Sequence, residues 1–169
     1  MYIIRLVLLC ALSLNFASAQ NNILIKNGRI LDGTGNSWYY SDLYVSNGII
    51  QHIGKNLQFK ADKIIDAHGL IVAPGFIDVH AHIEGGIMSK STADNYLFDG
   101  VTTVVTGNCG NSAENLAEFF NRLDSLGVSI NVASLVGHNT VRNQVMKMDA
   151  RPPTTGEQKQ MEVLVERGM

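Results

Sequence analysis

The chain has 169 residues, 46% of them hydrophobic, and a formal net charge of −2. Its 13 Lys+Arg, one of which is Arg5, face 15 Asp+Glu, and no basic run is interleaved with aromatics, so nothing supports nucleic-acid binding. No run after the first residues reaches the roughly 20 apolar residues needed to span a bilayer.

The amino terminus reads as export machinery. One cation at Arg5, an apolar stretch from Ile3 to Leu14 and the small residues Ala17-Ser18-Ala19 predict a signal peptide over residues 1–19, cleaved before Gln20. Exported delivery to periplasm or medium, with no membrane association after cleavage, is the expectation. Leu9 precedes Cys10, which argues against a lipid-anchored cysteine there. Cleavage removes Cys10 and leaves Cys109 as the lone thiol in an oxidising compartment, where it is inert and buried, bonded to another chain, or held for chemistry.

Residues 20–73 predict a small antiparallel β domain. Short apolar runs at Ile23–Ile25, Asp42–Val45, Ile49–Ile53 and Lys63–Val72 are punctuated by Asn27-Gly28, Gly33-Thr34-Gly35, Asn47-Gly48 and His68-Gly69. Asn47-Gly48 predicts a tight hairpin because both residues accept positive φ. His52 and His68 sit beside turns and carry no chemistry in this reading.

From residue 74 the rhythm changes. Phe76–His82 predicts a strand, Thr92–Phe98 a helix, Val101–Thr106 a strand, Ala113–Leu126 an amphipathic helix capped by Ser112 and ended by Gly127, and Ser129–Val136 a third strand. Thr154 or Thr155 then opens a last helix that runs to about Arg167. Strand–helix alternation implies an α/β class with parallel strands and crossover helices. Residues 74–169 therefore read as the start of a (β/α)8 TIM-type barrel, its first three strands only. A closed barrel needs roughly 250 residues, so the chain is expected to be a fragment of a longer protein.

The chemistry concentrates at predicted strand ends. In a strand, side chains two apart share a face, so His80 and His82 can present two imidazole nitrogens to one metal ion. Gly107-Asn108-Cys109-Gly110 ends the second strand and Gly137-His138-Asn139 the third, placing all three clusters on one rim of a parallel barrel. Asp78 shares the face of His80 and can orient its imidazole from behind. His138 is either a strand-end cap or a substrate contact; Arg142 is either solvated or a bidentate partner for a substrate carboxylate. Met146, Met148 and Met161 are too irregularly spaced for a thioether metal site and read as packing.

Ala73-Pro74-Gly75-Phe76-Ile77-Asp78-Val79-His80-Ala81-His82 resembles the opening signature of the amidohydrolase superfamily. Gly100 to Gly110 and Val136-Gly137-His138-Asn139-Thr140-Val141-Arg142 are similar to the N-acyl-D-amino-acid deacylase (D-aminoacylase) family, the likeness spanning Ile23 to Gly168. The resemblance implies zinc as cofactor, with Cys109 as a ligand in the place many amidohydrolases give to a carbamylated lysine and His80 and His82 as ligands belonging to the other metal position. It also implies two further histidines and a catalytic aspartate on later strands, beyond the residues present. The implied reaction is metal-assisted hydrolysis of a small-molecule N-acyl amino acid, with the chain inactive by itself. One departure stands out: family members often place aspartate directly after the second histidine, where this sequence has Ile83 and then Glu84. The alternatives are another amidohydrolase, either a cyclic-amide hydrolase or a deaminase, and a non-catalytic homologue acting as a binding module. Oligomeric state is not legible in the residues.

Overall fold

Asn47 and Gly48, both at positive φ (57° and 72°), join strands β2 (Tyr39–Ser46) and β3 (Ile49–Gly54) in the expected hairpin, with Ser46 paired to Ile49. The computed structural model describes residues 22–147 and 149–169; the expected signal peptide and Met148 lie outside the described residues. The chain divides into two compact units, the first ending at Pro74 and the second beginning at Gly75. None of the described helices is long and apolar enough to cross a membrane.

In the first unit β1 (Ile23–Ile30) pairs antiparallel with β2, as the turn pattern requires. The expected final run splits at Ala67–Leu70 into β4 (Lys63–Asp66) and β5 (Ile71–Val72), and both pair parallel to β1. The sheet is thus mixed, which corrects the antiparallel expectation: a parallel partner arrives through a long connection that leaves no local turn signal. Leu24, Ile30, Leu43 and Ala67 are buried here. Beside them the buried Asp42 accepts the Asn27 N–H at 2.9 Å and the Leu57 N–H at 3.0 Å, pinning a β1 bulge and the turn after β3. His52 stacks on Phe59 (4.7 Å between centroids), which stacks in turn on Tyr44 (4.4 Å), so this histidine is packing.

The second unit holds three parallel strands in the order β6 (Phe76–Asp78), β7 (Val101–Thr106) and β8 (Asn131–Ser134). Consecutive neighbours in a parallel sheet put the three strand ends side by side on one edge. Helix α1 (Asp94–Leu97) is a single turn, and α2 (Leu116–Leu126) presents Leu116, Phe119 and Leu123 to the interior. With Ala81, Ile83, Ile87, Ala93, Val104 and Ile130, Phe119 and Leu123 form one core cluster.

Two local readings are corrected. The α2 cap is Asn115, whose side chain accepts the Glu118 N–H at 3.2 Å, while Ser112 is drawn away to accept the Gly137 N–H at 3.0 Å. Residues after β8 form a further helix, α3 (His138–Met146), in which only Val141 and Met146 are buried, too few to leave an apolar stripe. Helix α4 (Thr155–Gly168) opens on Thr154 in a capping box with Glu157.

Candidate metal centre

Regular strand geometry in β6 ends at Asp78, yet the Ala81 N–H still donates to the Val105 carbonyl at 3.0 Å. The two-residue alternation therefore survives past the strand: His80 and His82 are exposed while Ala81 and Ile83 are buried. The buried pair anchors the segment in the core and aims both imidazoles outward from it. Asp78 Oδ1 accepts the backbone N–H of His80 at 2.9 Å, so its carboxylate fixes the main chain that carries the imidazole and not the ring itself.

Cys109 reaches the same place from β7. Its backbone is left-handed (φ 55°), in a turn where Gly107 and Gly110 also have positive φ. A Cβ at Gly107 would collide with the Leu135 carbonyl, and one at Gly110 would come within 2.7 Å of the Asn139 amide, so only glycine lets the turn lie this close to the residues after β8. The Asn139 amide also donates to the Cys109 carbonyl at 3.3 Å, and the Asn139 N–H to the Gly110 carbonyl at 2.7 Å.

His80 Nε2 lies 3.3 Å from Cys109 Sγ. One donor atom from each of His80, His82 and Cys109 falls within 4.8 Å of the others, the sole such grouping of three among the described residues. Donors on one tetrahedral zinc ion are separated by about 3.3 to 3.8 Å, given Zn–N near 2.0 Å and Zn–S near 2.3 Å. The His80–Cys109 separation falls in that range, and two imidazoles with one thiol are donor types that zinc takes.

Glu84 completes the local electrostatics. Its Oε1 accepts the Thr106 hydroxyl at 2.6 Å and the Gly107 N–H at 3.0 Å. Partial burial pushes its carboxyl up, but the Thr106 hydroxyl, its own N–H, the Gly107 N–H and nearby His82 outweigh that and hold it below the ordinary carboxylate value. Burial, then the charges of Asp78 and Glu84, push the Tyr96 phenol up.

The profile of the amidohydrolase family matches residues 63–169. The chain belongs to the amidohydrolase family. This amidohydrolase chain is 33% identical to the N-acyl-D-aspartate deacylase of Alcaligenes xylosoxydans xylosoxydans over 93% of its own length and 36% of the relative's. Among solved structures it is similar to an N-acyl-D-glutamate deacylase of Bordetella bronchiseptica complexed with zinc and a phosphonate inhibitor (36% identity, TM-score 0.79) and to a D-aminoacylase studied for its binuclear metal centre (27% identity, TM-score 0.82). Each structural match covers 88% of this chain and 36% of the solved chain. The amidohydrolase chain thus spans about a third of the length of the relatives it matches.

Two residues assigned to substrate by sequence lie on the helix after β8. His138 is exposed as the first residue of α3. Arg142, one turn further along, donates from Nη2 to the carbonyls of Asp149 and Arg151 at 2.7 and 2.8 Å, bracing the connection to α4. Sequence reasoning overlooked Thr106 and Asn139, both of which touch the donor-bearing segments. A threonine ending an apolar strand and an asparagine opening a helix are too common to signal such roles.

Proposed function

We propose that this amidohydrolase chain is the front portion of an exported, zinc-dependent hydrolase that cleaves N-acyl-D-amino acids to a carboxylate and a free D-amino acid. The observation that carries the reading is the meeting of His80, His82 and Cys109 from two adjacent strand ends, with sulfur as the third donor. The named deacylases among its relatives support the substrate class. In this reading the three parallel strands are the first of a (β/α)8 barrel.

His80, His82 and Cys109 would hold the metal together with the ligands expected on later strands. When bound, zinc supplies a water with a pKa lowered toward about 7 and polarises the acyl carbonyl. The chain's own residues set the stage for that chemistry. Asp78 locks the His80 backbone, the glycine-flanked turn holds Cys109 against the His80 ring, and the exposed donors leave the centre open to a soluble substrate. His138 is the substrate contact we propose on the α3 side, joined to the Cys109 turn through Asn139. Glu84 is occupied by Thr106 and Gly107, so the proton for the leaving amine comes from the catalytic aspartate expected on a later strand.

The test is a substrate panel on the protein expressed from its natural gene with zinc in the medium. Release of free amino acid from N-acyl-D-amino acids, absent with the L-enantiomers and abolished reversibly by chelation, is expected. Turnover of cyclic amides or of adenine in place of N-acyl amino acids, or a protein that carries no zinc, overturns the reading. Amino-terminal sequencing of the exported product should begin at Gln20; an intact Met1 overturns export through this leader.

A further inference from the structure

The three donors ride on two separate segments, residues 79–84 and 107–110, and the metal site is only as well defined as the distance between them. We propose that Thr106 and Glu84 form a polar clasp that sets this distance, making both positioning residues for the metal; this rests on the zinc-centre reading above.

Thr106 is fully buried (0% exposed) and its hydroxyl stands where the two segments meet. Its Oγ1 is 2.6 Å from Glu84 Oε1, 3.1 Å from the Ala81 carbonyl and 3.5 Å from the Ile83 nitrogen. Those three partners flank His82 on both sides in the chain. A hydroxyl has one proton, and the short approach to Glu84 assigns it there as a charge-assisted bond, with the Ile83 N–H directed at the hydroxyl oxygen. Glu84 Oε1 also receives the Gly107 N–H at 3.0 Å, two residues before Cys109. One carboxylate oxygen thus binds the end of β7 to the loop after His82. Neither side chain belongs to the donor grouping, so each acts through the residues it holds.

Valine has the shape of threonine without the hydroxyl, so Thr106→Val keeps the packing and removes the clasp. Groups that hold metal ligands in place from behind typically contribute about 10- to 100-fold in metal affinity. The experiment titrates the protein with zinc by calorimetry and with cobalt(II) by absorbance, reading the thiolate-to-cobalt charge-transfer band from Cys109, alongside a thermal melt. Thr106→Val and Glu84→Ala should each weaken binding by about 10- to 100-fold and diminish the band, while Thr106→Ser, which restores the hydroxyl, should bind like wild type. Should Thr106→Val fail to fold, Glu84→Ala, altered at a partly exposed side chain, carries the comparison. Wild-type metal affinity and band intensity in Glu84→Ala, or in a folded Thr106→Val, overturn the clasp and leave the metal centre standing. Absence of binding by wild-type protein overturns the centre, and the clasp with it.

Discussion

His80 Nε2 and Cys109 Sγ lie 3.3 Å apart although 29 positions separate them in the chain. They meet because β6 and β7 are parallel neighbours, with Asp78 level with Val104, and because each chain overruns its strand by a few residues before turning. Removing the sulfur should therefore affect the metal and little else. Cys109→Ala is expected to abolish thiolate-to-cobalt charge transfer while shifting stability by no more than about 0.5 kcal/mol, as for most exposed substitutions. Absorbance of the cobalt(II) form and urea denaturation of the same sample check both halves.

The turn that carries Cys109 should be intolerant of a methyl group. Gly107→Ala places a Cβ against the Leu135 carbonyl at φ 78°. A destabilisation of about 1 to 3 kcal/mol is expected from the combined clash and left-handed strain. Because the displaced backbone also carries the N–H that meets Glu84, metal affinity should fall in the same variant. Chemical denaturation and zinc calorimetry read the two effects separately.

In the first unit, Asp42 has only 4% of its surface exposed and satisfies two backbone N–H groups from distant turns. Asp42→Ala leaves both donors without their partner and should cost about 1 to 3 kcal/mol for each donor left unpaired. Asp42→Asn keeps one acceptor and should fall between wild type and alanine. Equilibrium urea unfolding measures the series.

Acid should loosen the start of α4. The Arg151 guanidinium grips the Glu157 carboxylate at 2.6 and 2.8 Å, and with the Thr154 N–H and hydroxyl it holds that carboxyl far below its ordinary 4.5. A group whose pKa is depressed on folding stabilises the fold above its unfolded value and loses that contribution as pH falls through the folded one. Wild type should thus lose stability as pH drops below about 4.5 more steeply than Glu157→Gln, which cannot titrate. Thermal melts across the acid range test this, and equal slopes for the two proteins would refute it. At neutral pH, Thr154→Ala removes the cap and should cost about 1 kcal/mol.

Elements with a local signature were legible in the sequence, and those defined by distant partners were not. Val101–Thr106 is a strand over the expected residues, Gly127 ends α2 in the left-handed conformation (φ 64°), and Asn47-Gly48 makes its hairpin, because each depends on conformational preferences of a few adjacent residues. The parallel pairing of β4 and β5 with β1 depends on a connection from β3 whose residues say nothing about which edge it returns to. Helix α3 escaped notice since its polar residues face outward on most sides, and Ser112 yielded its capping role to Asn115 because its hydroxyl accepts the Gly137 N–H while its own N–H donates to the Thr140 hydroxyl. At the site, strand parity put His80 and His82 on one face, whereas Cys109 was named as a donor only through the resemblance to a known family. Arg142 could not be placed, for its carbonyl partners at Asp149 and Arg151 are set by a loop without periodicity.

The left-handed backbone at Cys109 bears on how such a centre can change over evolutionary time. Asparagine and aspartate tolerate φ near 55° better than other side chains do, whereas β-branched residues are excluded. A substitution to aspartate at this point would exchange a soft sulfur for a hard oxygen without rebuilding the loop, and so change the donor chemistry beside His80. The backbone conformation thus restricts which donor side chains can be exchanged at this turn.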